Sequence, residues 1–176
     1  MKTRILIAVA IFSIIGTPQV NATEVMLWPP DELTKRSYVI AIGTITGTWF
    51  DFRPFGDTKV VDTANLKISE VLKGDVDSDR LNIRFYGDAG KAFDNLFGLH
   101  RGHIGVDFQS GETVLVFLGH EDSTMVMGEG YYSYPNGKYV IKDQKVFSDY
   151  ADPDTLTGLK NIIQYALTDS SEEIAK

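Results

Sequence analysis

The chain has 176 residues, with 17 Lys+Arg against 24 Asp+Glu for a net charge of −7, 43% apolar and 11% aromatic residues, and no cysteine. This is an ordinary globular composition, neither disordered nor collagenous nor coiled coil. The missing cysteine excludes a disulfide framework, a thiol nucleophile, a zinc knuckle, an iron–sulfur cluster and an acylated lipoprotein anchor.

Lys2 and Arg4 precede an apolar run from Ile5 to Ile15 that is interrupted only by Ser13, and Gly16 and Pro18 then break the helix. Val20-Asn21-Ala22 offers side chains that a signal peptidase tolerates. The pattern predicts a signal peptide over residues 1–22, cleavage after Ala22 and a mature chain of 154 residues. The run is too short for a hydrocarbon core that takes about 20 residues. The mature protein is therefore expected to be secreted or periplasmic, with no stable membrane insertion. Losing Lys2 and Arg4 leaves 15 basic against 24 acidic residues, a net charge of −9. That balance repels phosphate backbones, so nucleic acid is not an expected partner.

Residues 23–36 form an N-terminal segment, in which Asp31, after Pro29-Pro30, is placed to cap a helical turn ending near Ser37. Tyr38 to Thr46 is rich in β-branched residues and apolar on both faces at its start, the pattern of a central strand covered on both sides. From Val60 to Leu72, Ala64, Leu66 and Ile68 alternate with Thr63, Asn65, Lys67 and Ser69. The alternation slips by one at Glu70-Val71, as at a β-bulge, and bulges give a closing barrel its bend. After a turn at Lys73-Gly74-Asp75, Leu81, Ile83 and Phe85 mark a third strand, and Val114 to Leu118 a fourth. Met125 to Tyr134 and Lys138 to Ile141 flank Pro135-Asn136-Gly137, whose Asn-Gly pair suits a tight hairpin. Lys145 to Phe147 adds a short strand. Leu156, Leu159, Ile162, Ile163 and Ala166 then recur at helical spacing, before a flexible tail over 169–176.

These elements predict one mainly β domain over residues 37–168. Its expected form is a small antiparallel OB-like barrel of five to six strands, with a C-terminal amphipathic helix over one barrel end. A β-sandwich is the alternative.

The succession Val39-Ile-Ala-Ile-Gly-Thr-Ile-Thr-Gly47, Ile68-Ser-Glu-Val-Leu-Lys-Gly-Asp75, Phe108-Gln-Ser-Gly-Glu-Thr-Val-Leu-Val-Phe-Leu-Gly119 and Gly137-Lys-Tyr-Val-Ile-Lys-Asp-Gln-Lys145 resembles a group of exported bacterial proteins of undefined role. Their strand order is in turn similar to the netrin-like barrel of the tissue inhibitors of metalloproteinases. The resemblance spans roughly residues 37 to 147 and implies a barrel with a binding role. Those inhibitors chelate their target's zinc through an amino-terminal cysteine, which this chain lacks, so it implies neither their mechanism nor any site residue.

Aromatic residues gather at Trp49-Phe50-Asp51-Phe52 with Phe55, and again at Tyr131, Tyr132, Tyr134 and Tyr139. Flat rings on barrel loops offer stacking and amphipathic contact to a protein, peptide or sugar. Trp49, Phe52, Phe55, Tyr131 and Tyr132 are the candidate partner-binding residues, although strand-alternating core residues account for part of the pattern. His100, His103 and His120, completed by Asp107 or Glu112, would supply zinc or copper ligands, but as loop histidines they need no metal. Asp75-Val76-Asp77-Ser78-Asp79 resembles the start of a calcium loop. Arg80 stands where the sharp turn wants glycine and Tyr86 where a bidentate glutamate is needed, so an EF-hand is excluded and a solvated turn is expected. The stretch from Tyr86 to Gln109 exceeds a hairpin connection. It would plug a barrel end with Phe93, Leu96 and Phe97 or form the rim of a ligand face.

No nucleophile elbow, phosphate loop, dinucleotide fingerprint or metalloprotease helix occurs, and Ser110 fits a polar turn better than a nucleophile. The expected function is non-catalytic binding of an extracytoplasmic protein or peptide. The alternative is a small-ligand or metal-binding protein, with a hydrolase third.

Overall fold

The computed structural model describes residues 27–53, 59–85, 87, 92, 96, 106–121, 130–149 and 151–174. The signal segment, Phe55, Phe93, Phe97, His100 and His103 lie outside the described residues. The elements are α1 (Pro30–Arg36), β1 (Val39–Arg53), β2 (Lys59–Lys73), β3 (Arg80–Phe85), β4 (Thr113–Glu121), β5 (Gly130–Lys142), β6 (Lys145–Ser148), β7 (Ala151–Thr155) and α2 (Leu156–Ile174). The strands form one sheet in the order β3-β2-β1-β4-β5-β6-β7, and a parallel pairing of β3 with β5 closes the first five into a barrel. The expected small OB-like barrel with a C-terminal helix is thus the architecture observed.

β1 explains the layering. Val39, Ala41 and Ile45 point into the lumen, where they meet Ala64, Leu66, Leu81, Ile83, Phe85, Val114, Val116 and Leu118. Ile40 and Ile42 point the other way, into a second core with Leu33, Leu115, Phe117, Tyr139, Val146, Leu159 and Ile163. Each such aliphatic or aromatic side chain contributes about 1.5–3 kcal/mol on full burial. A strand apolar on both faces is therefore covered on both, by the lumen on one side and by the helices on the other. The stripe on α2 that makes this contact is Leu159 and Ile163 with Leu156 and Leu167, while Ile162 stays partly exposed. Accordingly α2 covers an outer wall of the barrel, not the barrel end expected of it. Val106 and Phe108 fill the lumen instead. Leu96, expected to plug it, is exposed.

The bend comes from bulges. Register slips between Ile40 and Ala41 and between Ile42 and Gly43 leave Leu72 and Ser69 of β2 without partners, on either side of the expected slip at Glu70-Val71. Ile68 consequently packs against the lumen core and Leu72 against the outer one. In an unbroken strand two residues four apart would share a face. At Gly43 the strands approach so closely that a Cβ would collide with the Lys67 carbonyl.

Two expectations about turns and caps need correction. Pro135-Asn136-Gly137 is not a hairpin: β5 runs straight through it. The register jumps from Val116↔Lys138 to Leu118↔Ser133, so residues 134–137 bulge opposite Phe117 alone. Gly137 serves close approach, since a Cβ there would lie 2.8 Å from the Phe117 carbonyl oxygen. The tight hairpin is at Asp143-Gln144 between β5 and β6, with φ of 51° and 62°, the positive pair a type I′ turn demands. Asp31 does not cap α1: Pro29 is the N-cap, with no side-chain hydrogen bond, and Asp31 lies in the first turn. The other end of α1 is capped from a distance. The Lys73 ammonium donates to the Thr34 and Lys35 carbonyls at 2.7 and 3.1 Å, and burial pulls its pKa below the usual lysine value.

Candidate functional site

β4 accompanies β1 only from Val39 to Thr44, whereas β2 stays paired with it out to Arg53. The distal half of β1 therefore extends past β4 as a ribbon with β2, and β3 flanks β2 from Asp62 to Lys67. Alternation along the ribbon places Trp49 beside Thr63 on the outer face and Phe50 beside Asp62 on the other. Both rings are exposed, by 46% and 65%.

The register of four strands assembles the outer face into rows. Trp49 pairs with Thr63, Thr63 with Arg84, and Arg84 with Tyr132 of β5. The next row is Gly47, Asn65 and Asn82, and the third is Thr44, Lys67 and Arg80. Within this face the Thr46 hydroxyl donates to Asn65 Oδ1 at 2.6 Å, and Asn65 Nδ2 donates to Asn82 Oδ1 at 2.9 Å. Tyr132 lies over Gly119, its cross-strand partner on β4, where a Cβ would collide with the ring.

A second group of rings gathers beside the start of β1. His120, at the end of β4, is 5.0 Å from the Tyr38 ring and 5.1 Å from the Tyr131 ring. Tyr38 is exposed, while Tyr131 packs against the lumen core. A chain of edge-on contacts continues along the outside from Tyr132 to Tyr134 and from Tyr134 to Trp28, with the Arg36 guanidinium over Trp28. The Tyr134 hydroxyl donates to the Arg36 carbonyl at 3.0 Å. Burial, chiefly, holds its pKa well above the usual phenol value.

Of the residues singled out from sequence, Trp49 and Tyr132 thus stand in one row at opposite edges of one face. Tyr131 is turned inward instead, and Phe52 lies on β1 opposite Val60. His120 is stacked between tyrosines, Asp107 is exposed ahead of β4, and Glu112 is ion-paired to Lys138 at 2.7 Å. No group of three or more potential metal-ligating side chains gathers among the described residues. Ser110 lies in the turn before β4, next to Gly111 with its φ of 92°. Sequence reasoning missed Asn65, Lys67, Arg80, Asn82 and Arg84. Their signal was the polar half of the alternation in β2 and β3, which marks a solvated face without telling which strands adjoin. No protein family, curated protein or solved structure matches the chain.

Proposed function

We propose that the protein is an exported, non-catalytic binding module for a protein or peptide partner, engaged through the outer face that runs from Trp49 to Tyr132. The observation that carries this reading is the exposure of Trp49 on the outer face of a ribbon projecting from a well-packed barrel. Exposed rings on a rigid strand are the anchors from which protein interfaces draw most of their energy, because they bury large area at little entropic cost. Burying one of them in a partner would contribute about 1.5–3 kcal/mol. The signal pattern of residues 1–22 supports a partner outside the cytoplasm.

A second reading, a small planar ligand, is favoured by the exposed Tyr38 ring beside His120 and Tyr131. Cross-linking and capture with the mature chain, residues 23–176, from the extracytoplasmic fraction separates the two. A saturable partner lost in Trp49→Ala and kept in Tyr38→Ala supports the first reading. Partner capture indifferent to Trp49→Ala refutes it.

A further inference from the structure

The rings beside the start of β1 are held in place from several elements. The Tyr38 N–H donates to the Leu118 carbonyl at 2.8 Å, and the Tyr38 carbonyl lies against Gly74, where a Cβ would come within 2.5 Å of it. The Tyr38 ring is 58% exposed. His120 lies 5.0 Å from it with the ring planes inclined by 32°, Tyr131 lies 6.3 Å from it, and His120 meets Tyr131 edge-on. Of the three rings, Tyr38 is the exposed one. The turn from β2 to β3 reaches the same end of the barrel. Gly74 opens it against Tyr38, Val76 packs on the lumen core as Tyr131 does, and Asp77 follows, exposed. Burial first, then the neighbouring Tyr38 and Asp77, raises the Tyr131 pKa, so both groups lie near its hydroxyl. Phenol rings carry negative charge on their faces, and a carboxylate beside them reinforces it. The chain has seven more acidic than basic residues, an excess that draws cations toward it. Among the described residues the cation–ring contacts are Arg36 over Trp28 and Lys138 over Phe108, none of them on Tyr38 or Tyr131, and the ion pairs do not engage Asp77.

We infer that the Tyr38 ring binds a planar organic cation, a guanidinium, stacked on its face with the N–H edge turned to the Asp77 carboxylate. The inference rests on the second reading, that a planar ligand lies beside Tyr38, and adds the charge of that ligand. Rings packed at 5.0–6.3 Å leave no gap between them to enclose a spherical ammonium. A flat guanidinium needs only one open face. It is also weakly hydrated, so covering one side of it costs little, and its fork of donors matches a carboxylate. The chain makes the same kind of contact internally, where the Arg36 guanidinium sits 5.0 Å from the centre of a Trp28 ring. His120 and Tyr131 brace the Tyr38 ring, which keeps its open face preformed.

The test is an NMR titration of the mature chain, residues 23–176, with agmatine, with its neutral urea isostere carbamoylputrescine, and with neutral indole. Agmatine should shift the Tyr38 ring signals saturably and bind about three- to tenfold more tightly than the urea isostere. Asp77→Asn should remove most of that preference at an unchanged melting temperature, because the side chain stands exposed in a turn. Tyr38→Ala should abolish agmatine binding, while Tyr38→Phe, which keeps the ring face, should retain it. Equal binding of agmatine and its isostere, a preference untouched by Asp77→Asn, or agmatine binding that survives Tyr38→Ala would overturn the inference. Saturable indole binding that depends on Tyr38, with no preference for agmatine, would remove the charge and leave the planar-ligand reading standing. Failure of all three probes to bind would remove both.

Discussion

Two walls of this barrel share one lumen and differ on the outside. Around β4 and the first part of β1 the outward side chains are Ile40, Ile42, Leu115 and Phe117, and α1 and α2 lie on them. Around β2, β3 and the distal half of β1 the outward side chains are the buried Thr63 with Asn65, Lys67, Arg80, Asn82, Arg84 and Trp49, and among the described residues no helix lies on them. The inward residues of both walls are the same kind of aliphatic packing. The difference shows how such a barrel divides its labour. The wall that carries helices commits its outward strand residues to packing, while the other wall keeps most of its outward residues at the surface.

If that division holds, substitutions on the two walls should differ in size and in what they disturb. Phe117→Ala, on the covered wall, opens a cavity between β4 and α2 and should cost about 3–5 kcal/mol in denaturant unfolding. A loss under about 1 kcal/mol would mean the helix layer is not a true core. Tyr134→Phe, at the junction of the walls, removes the hydrogen bond to the Arg36 carbonyl and should cost about 1 kcal/mol near neutral pH. It also has a pH signature. The folded-state pKa of Tyr134 is raised, so its contribution is complete below the unfolded value near 10 and is lost as pH climbs above it. The parent should therefore lose stability above about pH 10 more steeply than Tyr134→Phe, as read from melting temperatures across that range. Lys67→Gln, on the bare wall, should change stability by no more than a few tenths of a kcal/mol, in the favourable direction, because it relieves the repulsion from Arg80. A clear destabilisation would show that the lysine is structural.

Much of this division can be read from residue patterns. The unbroken apolar start of β1 announces double coverage, the strict alternation around Leu66 and Ile83 announces a solvated wall, and the slip near Glu70 announces the bend. Local chemistry misled where tertiary contacts overrode it. Asn136-Gly137 has the residues of a type I′ turn, yet Gly137 is required where Phe117 crosses, and Asp143-Gln144 makes the turn with poorer residues for it. The short β7 strand, with Pro153 at a sheet edge that can tolerate it, gives no alternation to find. The candidate face was legible only in pieces. Trp49 and Tyr132 stand out in sequence, but nothing local brings Tyr132 next to Arg84, because that neighbourhood depends on a pairing between residues 48 positions apart in the chain.

Among the described residues that pairing is two residues long, Ile83↔Tyr131 and Arg84↔Tyr132. Closing it brings together residues 48 positions apart in the chain, an entropic cost that long-range contacts repay late in folding. A chain still unclosed would carry Trp49, Lys67 and Arg80 in place but hold Tyr132 apart from Arg84. The proposed recognition surface would therefore be completed by the same event that completes the cylinder, and a partner that needs all three rows would discriminate finished molecules from unfinished ones.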